Sequence, residues 1–311
     1  MLLAILLLCL NLLLVQGPVF GWAPRSEPQV GDLMDRRSAQ DYMVFLINRD
    51  RKAVGLEPVE LDLVASAAGQ AHSDEMALAR YVSHWDLRGR KPDQRYCEAG
   101  GEGAVSENVL ITHDFAEKER YTLAPRQMFS RRELESIEEL FLNELPPDDG
   151  HRRNILSPDH NRVGIGLTLV LPGGRVVCTQ EFVNQYGSFS KLPAERERGQ
   201  ALALSGRLDQ GLSLCSVDIY REAQPEPMTA DQLRATHSYN LPTDSVVRYY
   251  PPPYPSPARM NLSHTAQGEN FAVEVKPGQH WKPGLYYVLV WARKPDSKTP
   301  FVTSSQTVAI N

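Results

Sequence analysis

The apolar residues of this chain change their period part-way along, and that change bounds what it can fold into. Between residues 36 and 145 they recur at helical spacing. Ala39, Tyr42, Met43, Leu46 and Ile47 fall on one face of a first helix that Gly55 and Pro58 end. Asp62 is placed to cap a second helix presenting Leu63, Ala67, Ala71 and Met76. A third, over 131–145, shows Leu134, Ile137, Leu140 and Phe141 and stops at Pro146-Pro147. Strand-like runs at 105–111, 163–171 and 176–183 lie among them, the last two joined by the hairpin turn "LPGG" at 171–174. Helices alternating irregularly with a small antiparallel sheet predict an α+β layer fold. Beyond the polar stretch "GSFSKLPAERERG" at 187–199 the period is two, as in Phe271/Val273/Val275 and Tyr287/Leu289/Trp291, and turns such as "KPGQ" intervene. Short strands at this density predict an all-β, immunoglobulin-like sandwich over 195–311. There Trp281, Tyr286, Tyr287 and Trp291 divide between core packing and a carbohydrate platform. "PPPYPSP" at 251–257 cannot be a central strand and reads as a stiff loop, with a site for proline-reading domains as the alternative.

The chain's 311 residues suffice for two domains, and its net charge of −5 with no basic block argues against a nucleic-acid partner. Residues 1–15 are nearly all apolar but fall short of the roughly 20 that a spanning helix needs. They fit a signal peptide over 1–21, with Val19 and Gly21 as the small residues before cleavage at Trp22. No Lys or Arg precedes the run, which leaves an uncleaved anchor as the alternative. No transmembrane helix is expected in the mature chain. Export would leave Cys97, Cys178 and Cys215, an odd number that allows at most one internal pair, with Cys178 and Cys215 read as buried in strands.

No H-E-x-x-H, G-x-S-x-G or phosphate-binding loop is present, so chemistry must come from residues that the fold gathers. Four segments carry a resemblance: "AHSDEM" at 71–76, "SHWDLRGRKPDQRY" at 83–96, "SENV" at 106–109 and "GHRRNILSPDHNRVGIG" at 150–166. Their order and spacing resemble the CAP superfamily of cysteine-rich secretory proteins, antigen 5 and pathogenesis-related proteins, in its cysteine-poor bacterial-type branch, over residues 36–189. The resemblance implies an α-β-α sandwich with a cleft lined by two His and two Glu that hold zinc or another divalent cation in some members. Carried over motif by motif, these are His84 in "SHW", Glu107 in "SEN", His151 in "GHRR" and, from "FLNE", Glu144. Ser106 stands where the family has Gly and Phe141 where it has Trp, which keeps Glu138 and Glu139 as rivals to Glu144.

Two neutral imidazoles can hold a divalent cation with positions left open, while nearby carboxylates orient them or accept a proton. The plainer alternative is that His84 bonds a backbone carbonyl and His151 braces a helix junction. Asn108 is expected to fix adjoining backbone, Arg95 to brace its loop through Asp86 or Asp93, and His72 to pack rather than line the cleft. Three functions follow. The chain is a secreted binding module for an extracellular or cell-envelope lipid, sterol, polysaccharide or protein; or a metal-dependent hydrolase using the cleft; or a structural platform whose C-terminal sandwich binds the ligand. No nucleophile stands beside the histidines in sequence, which leans away from an enzyme.

Overall fold

The computed structural model describes residues 31–116, 119–278 and 281–311; the leader 1–21 and its cleavage point lie outside the described residues. The first half opens with β1 (Leu33–Asp35), α1 (Arg36–Ala53), β2 (Glu60–Leu61) and α2 (Leu63–Ala79). Then come α3 (Pro92–Glu98), β3 (Ala104–Ile111), β4 (Thr122–Leu123) and β5 (Met128–Ser130). It closes with α4 (Arg131–Leu142), α5 (Gly150–Ile155) and the long strands β6 (Arg162–Leu171) and β7 (Arg175–Asn184). The second half runs through β8 (Gly187–Phe189), β9 (Glu195–Arg196), β10 (Leu202–Asp209) and β11 (Ser213–Glu222) to a short α6 (Ala230–Arg234). It ends with β12 (Asp244–Tyr249), β13 (Met260–Thr265), β14 (Gly268–Val275), β15 (Gly284–Arg293) and β16 (Phe301–Ile310). Among the described residues no helix is long and apolar enough to cross a membrane.

In the first half one sheet, ordered β2-β6-β7-β3 with β4 also on β6, lies between two helical layers. Period-two alternation decides which side each strand residue serves. Val176, Cys178 and Phe182 of β7 join Ile47, Ile137, Phe141 and Ile155 under α1, α4 and α5, whereas Val177 and Val183 face α2 and α3. Side-chain caps fix where the helices begin: Asp35 accepts the Ser38 N–H at 2.8 Å, Asp62 the Ala65 N–H at 2.9 Å, and Ser130 with Glu133 closes a capping box on α4.

The apolar face expected for α2 holds at Met76 and is wrong at the other three positions. Leu63 is 64% exposed, Ala67 and Ala71 also face solvent, and the buried face is Ala65, Ser66, Ala68, Gly69, His72, Ser73 and Met76. The cause lies in β6, whose Gly164 and Gly166 point at the helix. A Cβ on Gly164 would sit 2.2 Å from the Ala65 carbonyl carbon, and one on Gly166 would sit 2.3 Å from the Gly69 oxygen. Backbone meets backbone along residues 65–70, so only small side chains fit there between helix and sheet and Leu63 turns outward. On α4, likewise, Leu140 is exposed and Glu138 is buried, and the helix ends at Leu142 rather than at the prolines.

The second half is two facing sheets, β13-β14-β10-β8 and β12-β11-β15-β16-β9. Leu204, Leu208, Phe271 and Val273 of the first meet Val217, Ile219, Val288 and Val290 of the second in one core. Trp281 stacks on Tyr286 at 4.9 Å and is buried there with it. Tyr287 is buried on the opposite face of β15, toward the first half. The three cysteines among the described residues are free; Cys178 is buried as expected, but Cys215 is partly exposed because its strand shifts register between Leu214 and Ser216.

The α2–β6 contact leads to a prediction. Gly166→Ala should lower the urea midpoint, costing about 3 kcal/mol through forced separation of helix and sheet, whereas exposed Ala67→Leu should stay within about 0.5 kcal/mol. Equal midpoints for the two variants would show that the close contact is not what orients α2.

Candidate functional site

The site is built from β3 outward. Glu107 on β3 points to the α2/α3 side, where Arg95 of α3 donates from Nη2 to its Oε2. Its Oε1 meets Nδ1 of His84 at 2.8 Å. Burial pushes the Glu107 carboxyl up, but Arg95 above all, with the neighbouring histidines, outweighs it and holds the group far below the usual carboxylate range. Glu107 is therefore ionised and can only accept, so His84 carries its proton on Nδ1 and, when neutral, its lone pair on Nε2.

The loop bearing His84 is held by its own polar residues. Asp86 accepts the N–H groups of Arg88 and Arg90 at 3.0 and 2.8 Å, with Gly89 at φ 73° making the turn between them. Arg95 was expected to brace this loop through Asp86 or Asp93. Instead it donates to the carbonyls of His84 and Arg90 at 2.8 and 3.0 Å and to Glu107, while Asp86 pairs with Arg90 and Asp93 accepts from Ser305. His72 is buried beneath, its Nε2 donating to the Ser83 carbonyl at 2.8 Å. Burial lowers its pKa to about 4, so it is a neutral brace outside the cleft.

His151 enters from the opposite side, in the first turn of α5. The Glu144 carboxylate receives the His151 backbone N–H on Oε2 at 2.9 Å and Nδ1 on Oε1. Phe141 meets the imidazole edge to face at 4.8 Å. Burial moves His151 below its ordinary pKa, with Glu144 opposing, so the neutral ring is favoured. The two imidazoles stand 6.3 Å apart between centroids. His84, Glu107, His151 and Glu144 are thus gathered in one cleft, each carboxylate on the Nδ1 of one histidine.

Of the rivals to Glu144, Glu139 faces solvent and Glu138 is buried under the sheet, accepting from Gln180 at 2.8 Å. Gln180 in turn accepts from Asn108 at 2.9 Å, and Asn108 also donates to the His151 carbonyl at 3.2 Å. Asn108 fixes adjoining backbone as expected, here that of α5.

One cleft residue was not foreseen. Tyr239, from the connection between β11 and β12, sets its ring 4.9 Å from His84, and its hydroxyl accepts the Glu107 backbone N–H at 3.1 Å. It lies in a polar stretch without periodicity, and no sequence signal marked it.

The family model described as "CAP: Cysteine-rich secretory protein family" matches residues 44–182, the stretch that supplies both imidazoles and both carboxylates. Residues 44–182 form a CAP domain. No curated protein matches the chain. Among solved structures it is similar to an extracellular protein containing an SCP domain from Bacillus anthracis, with 19% identity and a TM-score of 0.35, covering 48% of this chain and 41% of that one. It is also similar to an outer surface protein from Borrelia burgdorferi, with 15% identity and a TM-score of 0.38, over 50% of this chain and 98% of that one. Murine CRIg matches at 10% identity and a TM-score of 0.24, over 40% of this chain and 97% of its own. The chain thus spans less than half the length of the Bacillus protein.

Among the described residues no group of three or more His, Cys, Asp or Glu is placed to hold a metal ion. In the CAP cleft the reason is visible: both carboxylates are turned to Nδ1, which leaves the two Nε2 atoms as the donors. This is the arrangement in which a carboxylate orients a histidine toward a cation rather than binding the cation itself.

Glu138 beneath the cleft generates a pH prediction. Burial pushes its carboxyl up to about 8 from 4.5, so the folded state holds a proton that the unfolded chain has lost. Its contribution to stability is intact below about 4.5 and falls as pH rises toward 8. Glu138→Gln, uncharged at every pH, should therefore melt above wild type at pH 8, by on the order of a few kcal/mol, and lose that advantage near pH 4.5. Melting curves that run parallel across this range would refute the buried neutral carboxyl.

Proposed function

We propose that the protein is an extracytoplasmic binding module whose CAP cleft presents the Nε2 atoms of His84 and His151 to a ligand, through a zinc or other divalent cation. The observation that carries the reading is the engagement of both Glu107 and Glu144 on Nδ1. That donor set fits a cation with two nitrogen ligands and open positions, weaker than a four-ligand structural site. A bound cation would supply an attachment point for an oxygen-bearing ligand. The chain's own residues hold the imidazoles in the right tautomer. The same engagement takes both carboxylates out of direct proton transfer with water and leaves that role, on the alternative reading of a hydrolase, to the histidine Nε2 atoms. Ligand classes consistent with such a module are a lipid, sterol, polysaccharide or protein of the cell envelope.

On this reading residues 1–21 are a removed signal peptide, and the mature chain divides into a CAP unit over 36–189 and an immunoglobulin-like sandwich over 195–311. The two-sheet packing, antiparallel except where β9 pairs with β16, supports the sandwich, whose own ligand-binding role would make the CAP unit a platform.

Zinc titration calorimetry tests the reading. His84→Ala with His151→Ala should abolish uptake, and Glu144→Gln should weaken it by about 10–100-fold by freeing the imidazole it orients. Affinity should fall with acidification because a protonated nitrogen cannot bind. His151 resists that loss to below the ordinary histidine value of about 6.5, since its pKa is lowered. Full zinc uptake by the double alanine variant would overturn the site.

A further inference from the structure

Residues 236–240 follow α6, cross the CAP cleft without regular secondary structure and lead on to β12. The CAP side grips this segment through alternate backbone carbonyls. Ser83 Oγ donates to the Thr236 carbonyl at 2.7 Å, Trp85 Nε1 to that of Ser238 at 3.2 Å, and Lys91 Nζ to that of Asn240 at 3.0 Å. Successive carbonyls of an extended chain point to opposite sides, so a row of donors meeting every second one reads the backbone and ignores sequence. One side chain of the segment enters the site: Tyr239, with its ring against His84 and its hydroxyl on the Glu107 N–H of β3. Because β3 is the edge strand of its sheet, that N–H is presented outward to whatever lies in the cleft.

We infer that this row is a peptide-binding groove: the CAP cleft receives an extended peptide carrying a tyrosine, and residues 236–240 are its resident occupant in cis. Three carbonyl contacts supply sequence-independent affinity, and the slot bounded by His84 and the Glu107 N–H selects the phenol. A tethered occupant competes at an effective concentration of about a millimolar, so a free peptide binds the intact chain only weakly until the resident tyrosine is displaced. The inference rests on the binding-module reading and narrows its ligand to a polypeptide.

The test uses the full chain and a labelled peptide of residues 234–242, Arg-Ala-Thr-His-Ser-Tyr-Asn-Leu-Pro, followed by fluorescence anisotropy. Tyr239→Gly empties the slot and should bind this peptide at least about tenfold more tightly than wild type, while a peptide with Ala in place of its Tyr should lose that gain. Tyr239→Phe keeps the ring and removes only the hydroxyl. It serves if the glycine variant does not fold, and it should bind the tyrosine peptide several-fold more tightly than wild type. A folded Tyr239→Gly chain that takes up zinc through His84 and His151 yet binds neither peptide overturns the groove and leaves the binding module standing. Peptide binding without zinc uptake supports the groove and counts against the cation. Equal binding of the tyrosine and alanine peptides removes the tyrosine slot, and a Tyr239→Phe chain indistinguishable from wild type does the same.

Discussion

The buried ion pair between Arg95 and Glu107 is the contact on which the site depends. Both side chains are almost wholly removed from water, where an unpaired charge is strongly destabilising and breaking such a pair typically costs about 3–5 kcal/mol. Glu107 also faces Glu181 across β3 and β7 in direct register. Two buried carboxyls so close cannot both ionise. Burial, with Glu107 beside it, drives Glu181 well above the usual range, and Arg95 settles the charge on Glu107. From that choice follow the tautomer of His84 and the direction of its lone pair. The Nη1 hydrogens of the same guanidinium hold the loop that carries His84, so one arginine fixes both the carboxylate and the histidine it orients.

The partner imidazole has its own arginine. Arg51, fully buried at the end of α1, donates to the carbonyls of Ile155, Ser157 and His160 at 2.7, 2.9 and 3.0 Å and to that of Glu57 at 2.9 Å. The first three are the last residue of α5 and the loop behind it, so α1 anchors the helix whose first turn holds His151. Asn154 of α5 donates to the Asn108 side chain at 2.8 Å, which ties the same helix to β3. The two histidines are thus fixed by separate charges against a shared sheet.

His84, Glu107 and His151 were legible through the short motifs that carry the family resemblance, and the helix cap at Asp62 is written beside its helix, whereas the cap at Ser130 was not read. Glu144 could be placed by alignment with "FLNE", but its advantage over Glu138 and Glu139 is a matter of rotation about α4, which sequence periodicity gives only coarsely. The face of α2 failed for a related reason. A count of apolar residues favours Leu63, and the glycines that reverse the choice lie on a strand 101 residues further along, at Gly164. Arg95's partner and the presence of Tyr239 were hidden altogether, since both depend on which distant segments the fold brings to the edge of β3.

The second half is joined to that edge by an apolar contact, in which Met228 and buried Leu233 pack with Tyr81 and Val109, and beside it by a set of polar ones. Ser305 of β16 donates from its hydroxyl to Asp93 at 2.7 Å and from its backbone to the Gly103 carbonyl at 3.2 Å, Ser304 donates to Glu102, and Lys91 pairs with Glu222. Burial raises Asp93 to about 6, although Ser305 and Lys91 pull the other way. Contacts of this kind contribute little net energy when made and cost a good deal when left half-made, so they hold a fixed orientation more than they add stability. Orientation is what the cleft requires. Lys91 lies within 5.1 Å of the Trp85 ring centroid and 5.6 Å of that of Tyr287, so the wall that carries two of the groove's donors is set against β15 of the second half. The CAP cleft is therefore completed by residues outside the CAP domain, and its shape is a property of the whole chain.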